Sequence, residues 1–213
     1  MRQTASFKLA TINFWDHKYD MPDYKYGKQA NQFLQAQQVR LRPASTVLLP
    51  GDGEGRNSVW LAEQGHSVTA VDSSALGLDK TRRLAAEKGV VVATLLADLA
   101  HWAPEPGSFD AVVLTYVHLP ASWRAQAMQR LAQGLRSGGW LVLEAFHPLQ
   151  LGYSSGGPKD ASMLYTLQTL RDDLATAGLQ EALAWEGEVH LAEGTGHQGP
   201  AYVTRYIAQR AIS

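Results

Sequence analysis

Short apolar runs with strand-like spacing alternate with longer stretches of helical periodicity along most of this chain, as expected of a parallel sheet covered on both faces. Thr46–Leu49 reads as a buried strand, followed by the turn Pro50-Gly51-Asp52-Gly53-Glu54-Gly55. A helix capped near Asn57 runs to about Gln64, and a second strand covers Ser67 to Val71 and finishes at Asp72. The pattern continues with a helix from Leu76 to Lys88, a strand from Val90 to Leu95 and a strand from Phe109 to Leu114. A helix introduced by Pro120 and Ser122 then reaches Arg136, and Ser137-Gly138-Gly139 turns the chain into the apolar strand Trp140–Phe146. Residues His147 to Met163 break the regularity with glycine, serine and proline and read as a long ordered loop over the sheet edge. A helix from Thr169 to Ala177 precedes two strands, Leu179–Leu191 and Ala201–Gln209, joined by a glycine-rich loop from Glu193 to Pro200.

Composition narrows the chemistry more than the architecture. With 213 residues, the sequence fits one domain with a substantial core. Its 19 basic and 20 acidic residues nearly cancel, so no global field draws it to nucleic acid or anionic lipid, and a small, roughly neutral substrate is expected. Cysteine is absent, which removes disulfides, thiolate metal sites and thiol nucleophiles. The first residues, Met1 to Tyr19, are too polar for a signal peptide, and no apolar run approaches the roughly 18 residues that cross a bilayer. A cytoplasmic protein without membrane or nucleic-acid partners is the expectation, and no oligomeric state follows from the sequence.

The chemistry gathers at the first strand-to-helix turn. Closely spaced glycines let a backbone approach a ligand, and Asp72, some twenty residues on at the end of the second strand, is placed to accept both ribose hydroxyls of a nucleoside. Alternatively, the glycines mark an ordinary tight connection and Asp72 caps the next helix. Dinucleotide sites favour G-x-G-x-x-G, whereas here the third glycine comes early, at Gly55, and Arg56 occupies the position that packs beside a pyrophosphate. That spacing favours a nucleoside with an amino-acid tail over NAD.

From Trp15 onward the sequence resembles class I S-adenosylmethionine (SAM)-dependent methyltransferases, most of all the bacterial branch similar to tellurite-resistance and thiopurine methyltransferases. The likeness is carried by Tyr26-Gly27 with Asn31 and Phe33-Leu34, by Gly53-Glu54-Gly55-Arg56-Asn57, Val71-Asp72 and Ala97-Asp98-Leu99, and by Leu135-Arg136-Ser137-Gly138-Gly139. It implies an α/β, Rossmann-like fold: a seven-stranded mixed sheet ordered 3-2-1-4-5-7-6, strand 7 antiparallel, with helices on both faces. It also implies SAM across the C-terminal ends of strands 1, 2 and 4. Gly51 and Gly53 then underlie the methionine and ribose, Asp72 holds the ribose hydroxyls, Ser73, Asp98 and Leu99 border the adenine, and Thr115 lies beside the methionine. The acid that usually closes strand one is Leu49 here, and Asp52 is the candidate substitute. Arg56 either serves the tail's carboxylate or packs at the surface or against the sheet, and Glu54 reads as an acid favoured at a helix N-terminus.

The expected activity is transfer of a methyl group from SAM to a small-molecule acceptor, at a sulfur, nitrogen, oxygen or metalloid centre, by in-line displacement. The alternative is a catalytically silent SAM- or SAH-binding module acting as sensor or assembly partner. Filled nucleoside positions and long polar-aromatic loops favour the enzyme. Methyl transfer needs mainly positioning, and a base only where the acceptor keeps a proton at neutral pH; His118 and His147, after strands four and five, are the candidates, the alternative for each being a hydrogen-bonded loop histidine. His66 and His101 read as turn residues. His190 and His197 with Glu188 and Glu193 lack the spacing of a structural metal site, so no metal is expected, and His197 lies in a loop similar to one in the resembled branch that reaches the substrate. Residues 1–40, rich in aromatics, read as an N-terminal helical lid over a methyltransferase domain of residues 41–213, with the Tyr26 ring nearest the sulfonium.

Overall fold

The computed structural model describes residues 14–212. Its seven strands form one sheet, β1 (Thr46–Pro50), β2 (Ser67–Asp72), β3 (Ala93–Leu96), β4 (Phe109–Thr115), β5 (Leu135–Phe146), β6 (Leu179–Glu193) and β7 (His197–Arg210), in the spatial order β3-β2-β1-β4-β5-β7-β6. β7 runs antiparallel to both β5 and β6, and the other pairings are parallel, so the expected mixed sheet is the one found. The helices are α1 (residues 14–19), α2 (Gln32–Gln37), α3 (Arg56–Glu63), α4 (Ala75–Glu87), α5 (Ala121–Gln133) and α6 (Leu167–Leu174). Among the described residues no helix is long and apolar enough to cross a membrane.

Both sheet faces are covered, and the period-two alternation of the strands divides their side chains between two cores. Leu48, Val112, Leu114, Leu141 and Leu143 pack with Met128 and Leu131 of α5 and Leu170 and Leu174 of α6. Their neighbours Val47, Leu49, Ala111, Val113 and Val142 face Leu34 of α2, Val59 and Leu61 of α3, and Leu78 and Leu84 of α4. Helix starts follow local chemistry: Asn31, Ser74 and Thr166 accept from the Leu34, Gly77 and Thr169 amides at the starts of α2, α4 and α6.

Several boundaries move for identifiable reasons. α3 begins at Arg56 behind a left-handed Gly55, so Asn57 is no cap; its Oδ1 instead accepts the Asn31 amide at 2.9 Å. β5 starts as early as Leu135 because that residue pairs with Phe109, and the expected Ser137-Gly138-Gly139 turn survives as a register shift before Ala111 meets Trp140. The expected loop from Glu193 to Pro200 shrinks to residues 194–196, since Gln198, Gly199 and Pro200 are held in the ladder by Ala192, Leu191 and His190. α6 starts at Leu167, two residues early, once Thr166 caps it. The first thirteen residues of the expected lid lie outside the described residues.

Candidate functional site

The parallel strands β1, β2 and β4 end side by side, and their last residues with the loops beyond them wall a cavity of about 650 Å³. At the end of β1 the turn closes on β2, with the Gly51 amide donating to the Val71 carbonyl at 2.6 Å. Gly51, Gly53 and Gly55 all have positive φ, and a Cβ on Gly53 would lie 2.5 Å from the Tyr19 hydroxyl, so only glycine lets α1 dock over this turn. α1 is tied to the start of α4 through Asp16, which accepts from the Ser74 hydroxyl and the Leu76 amide.

Asp72, last residue of β2, accepts the Gly53 amide on Oδ2 and the Ser74 amide on Oδ1, both at 2.8 Å. Burial pushes its carboxyl up to about 6, against the pull of those amides. It lines the cavity together with Gly51, Asp52, Ser73, Asp98, Leu99 and Thr115, which brings together the residues expected around the nucleoside and the amino-acid tail. Gly53 is the exception, lying behind the wall beneath Tyr19. Asp98 also accepts the Ala100 amide at 2.9 Å, which fixes the loop after β3.

Two residues of the turn and α3 leave polar atoms without a partner. Asp52 accepts the Ser58 hydroxyl on Oδ2, while its Oδ1 is buried and without a hydrogen-bond partner among the described residues. Burial pushes this carboxyl up to about 7, beyond what the Ser58 hydrogen bond pulls back. Arg56 is buried, not a surface residue; Nη2 donates to Glu193 Oε2 at 2.9 Å and Nη1 has no partner among the described residues. Both residues line the cavity. An unpaired acceptor and an unpaired donor of opposite charge thus stand at one end of it, where each missing hydrogen bond costs about 1–3 kcal/mol until a ligand supplies it. Glu54 does more than favour a helix terminus: it is buried, pairs with Lys80 Nζ at 2.7 Å and accepts the Lys25 amide at 2.8 Å.

The other end of the cavity is aromatic. Tyr116, directly after β4, has φ of 56°, a region costly for a bulky residue. It is held there by stacking on Phe146 with ring centroids 4.6 Å apart and by donating its hydroxyl to Glu144 at 2.8 Å. Glu144 in turn receives Asn31 Nδ2 at 2.7 Å and Arg205 Nε at 2.5 Å, and Asn31 Nδ2 also reaches Glu193 at 3.0 Å. Asn31, Glu144, Glu193 and Arg56 form a buried polar network behind the rings. Glu144 had a sequence signal, a lone carboxylate inside the apolar strand Trp140–Phe146; Tyr116 had none beyond its position after β4.

The structure places His118 and His147 as hydrogen-bonded loop histidines, the alternative held open for each. His118 lines the cavity, but both nitrogens are committed, Nδ1 to the Met163 carbonyl at 2.7 Å and Nε2 to the Phe146 amide at 3.2 Å. Burial pulls its pKa down to about 4, so it is a neutral strut holding the loop 147–163 to β5, not a base. His147 falls outside the cavity wall: Nδ1 accepts the Leu149 amide at 3.1 Å and Nε2 lies 3.6 Å from Glu186. His197 is buried in the cavity wall, with Nδ1 3.1 Å from Glu193 Oε2. Tyr26, expected nearest the reacting centre, lines the cavity too, its ring centroid 4.4 Å from that of His197. His190 is exposed on the far edge of β6, and no group of three or more His, Asp or Glu among the described residues is placed to hold a metal ion.

A family model described as "Methyltransferase domain" matches residues 47–139. Rabbit (Oryctolagus cuniculus) glycine N-methyltransferase is 30% identical over 162 residues, 66% of this chain and 54% of that protein. The chain spans about half the length of the curated relatives it matches, 54% and 52%. Among solved structures, the 1,6-didemethyltoxoflavin-N1-methyltransferase of Burkholderia thailandensis, with bound 1,6-didemethyltoxoflavin and S-adenosylhomocysteine, superposes with a TM-score of 0.68 at 17% identity, covering 99% of this chain and 89% of that one. TehB from Haemophilus influenzae gives 0.67 at 18% identity, covering 94% of this chain and 67% of that one.

Proposed function

We propose that this chain, whose residues 47–139 match a methyltransferase domain and whose strand order fits that fold, is a class I SAM-dependent methyltransferase that moves a methyl group from SAM to a small planar acceptor held at the aromatic end of its cavity. The observation that carries this is the pair of unpartnered atoms, Asp52 Oδ1 and Arg56 Nη1, on one wall. A carboxylate and a guanidinium match the ammonium and carboxylate of an amino-acid tail. Asp72, at the neighbouring strand end, accepts the ribose hydroxyls with lone pairs not used by Gly53 and Ser74. Ser73, Asp98 and Leu99 border the base, and Thr115 lies on the methionine side.

SAM supplies an activated methyl group, so the protein's task is to orient it, bring an acceptor in line and exclude water. α1 and the segment around Tyr26 cover the cavity from one side, consistent with a lid, while Tyr116, Phe146 and Trp123 offer flat apolar surface to the acceptor. A thermal melt of the purified protein with SAM, SAH and NAD in parallel tests the reading. At a hundred times Kd, linkage predicts about 2.7 kcal/mol of stabilisation by SAM and SAH, none by NAD, and loss of the effect in Asp72→Ala. Stabilisation by NAD alone, or by none of the three, overturns it.

A further inference from the structure

Of the two histidines among the residues lining the cavity, His118 has both nitrogens committed, and His197, which the sequence placed only in a substrate-reaching loop, keeps one open. Glu193 Oε2 faces His197 Nδ1 at 3.1 Å and is itself fixed by Arg56 at 2.9 Å, while Glu193 Oε1 receives Asn31 at 3.0 Å. This carboxylate stays ionised: burial opposes it, but the His197 hydrogen bond and the Arg56 charge outweigh burial and hold it down at about 2. An ionised acceptor at Nδ1 requires Nδ1 to carry the proton, which leaves Nε2 with a free lone pair. Nε2 has no hydrogen-bond partner among the described residues, and the ring lines the cavity. Gly156 packs against the Cδ2–Nε2 edge, where a Cβ would lie 2.6 Å from Cδ2 and 3.3 Å from Nε2, so only glycine leaves that nitrogen room for a ligand atom.

The remaining neighbours hold the ring without taking that nitrogen. Tyr26 packs on it from the N-terminal segment, Tyr116 meets it edge-on from the end of β4 with centroids 4.6 Å apart, and Phe146 does so from β5 at 5.1 Å. The charged groups around it are Arg56 from α3, Glu144 from β5 and Glu193 from β6. Burial lowers the imidazole pKa, with Glu193 opposing, so the ring is neutral at physiological pH. Trp123 supplies a second clue, for its indole Nε1 is buried without a partner and the side chain lines the same cavity.

We propose that His197, positioned by Glu193, takes the proton from the methyl acceptor, and that the acceptor is a planar aromatic or heteroaromatic molecule bearing a hydroxyl. The inference rests on the methyl-transfer reading above. A neutral amine attacks with its own lone pair and a thiol ionises near neutrality, but an aromatic hydroxyl keeps its proton and gains most from a buried base. In the step, Nε2 takes the hydroxyl proton as the oxygen forms its bond to the methyl carbon. The carbon–sulfur bond breaks with its electron pair going to sulfur, and the sulfonium charge is replaced by that of the imidazolium, which gives its proton to solvent after product leaves. Trp123 Nε1 is the available donor to a second polar atom of the acceptor.

The test uses the full chain and two probes of similar shape, phenol, protonated at neutral pH, and pentafluorophenol, already ionised there, with SAH formation as the readout. Calorimetric SAH binding is measured alongside for the wild-type protein, His197→Asn and Glu193→Gln. The wild type is expected to methylate both probes. His197→Asn should lose about a hundredfold or more on phenol and far less on pentafluorophenol, with SAH still bound. Glu193→Gln should shift the acidic limb of the phenol pH–rate profile to lower pH, because a neutral partner no longer supports the imidazolium. Equal losses on the two probes, or wild-type SAH binding without transfer to either, overturn the proposal; absence of SAH binding by the wild type overturns the reading beneath it.

Discussion

The two ends of the cavity are built on opposite principles. At the glycine turn, buried polar atoms are left incomplete: Asp52 Oδ1 and Arg56 Nη1 have no partner, and burial holds the Asp52 and Asp72 carboxyls at about 7 and about 6. At the aromatic end most buried polar groups are joined to one another: Asn31, Glu144, Glu193 and Arg205 are linked by hydrogen bonds and Arg56 Nη2 ties them back to the turn, with Trp123 Nε1 left open among the described residues. Unsatisfied groups cost stability until something binds, so they mark where a ligand completes the fold. A completed network instead sets rings and an imidazole in fixed positions, the requirement for aligning an acceptor.

That contrast breaks most visibly in the completed network. Asn31→Leu removes donors to Glu144 and Glu193 and the cap of α2, and is expected to cost about 2–4 kcal/mol in urea unfolding. A cost below about 1 kcal/mol would mean the network is not cooperative. Asp52→Asn should act with the opposite sign, removing a carboxyl whose ionisation the fold opposes while keeping an acceptor for Ser58. Its ligand-free form should gain about 1–2 kcal/mol near pH 8, and its SAM affinity should fall about tenfold.

The pH dependence follows from the same carboxyls. Their folded pKa values lie above the unfolded value, so the ligand-free protein is favoured while they are protonated and loses that contribution as pH rises through about 6 and about 7. SAM is a cation and pairs with the ionised forms, so its affinity should weaken several-fold as pH falls from about 8 to about 5.5, measured by calorimetry. An affinity that rises on acidification would remove Asp52 from the ammonium contact. The smallest effect is expected at His147→Ala, outside the cavity, where loss of a turn cap should cost at most about 1 kcal/mol and leave SAH binding within about twofold of wild type.

Much of the fold, and which residues of the strand ends would line one cavity, was legible because these signals are local. Strand ends, the glycine turn and Asp72 sit within one contiguous βαβ unit, and short apolar runs alternating with helical stretches fit strands covered on both faces. The acceptor side was read less well because its logic is long-range. Whether a histidine is free depends on atoms elsewhere: His118 is consumed by the backbones of Phe146 and Met163, which no spacing announces, while His197 is spared. The hairpin was misjudged similarly, since Gly199 and Pro200 suggest a loop by composition and are strand only because His190 and Leu191 lie opposite them.

The contact between the Lys25–Gly27 segment and the tip of the β6–β7 hairpin bears on how the protein is made. The Lys25 carbonyl receives the Thr195 and Gly196 amides at 3.0 and 2.9 Å, an association across 170 positions of chain. During synthesis the early segment emerges long before its clasp exists, while the parallel core from β1 to β4 already contains the glycine turn, Asp72 and Thr115. A ribosome therefore releases the half bearing the glycine turn first and closes the half bearing His197 last, because a contact of such high order must await its distant partner. Nascent chains interrupted before β7 would carry a cradle with no wall opposite it.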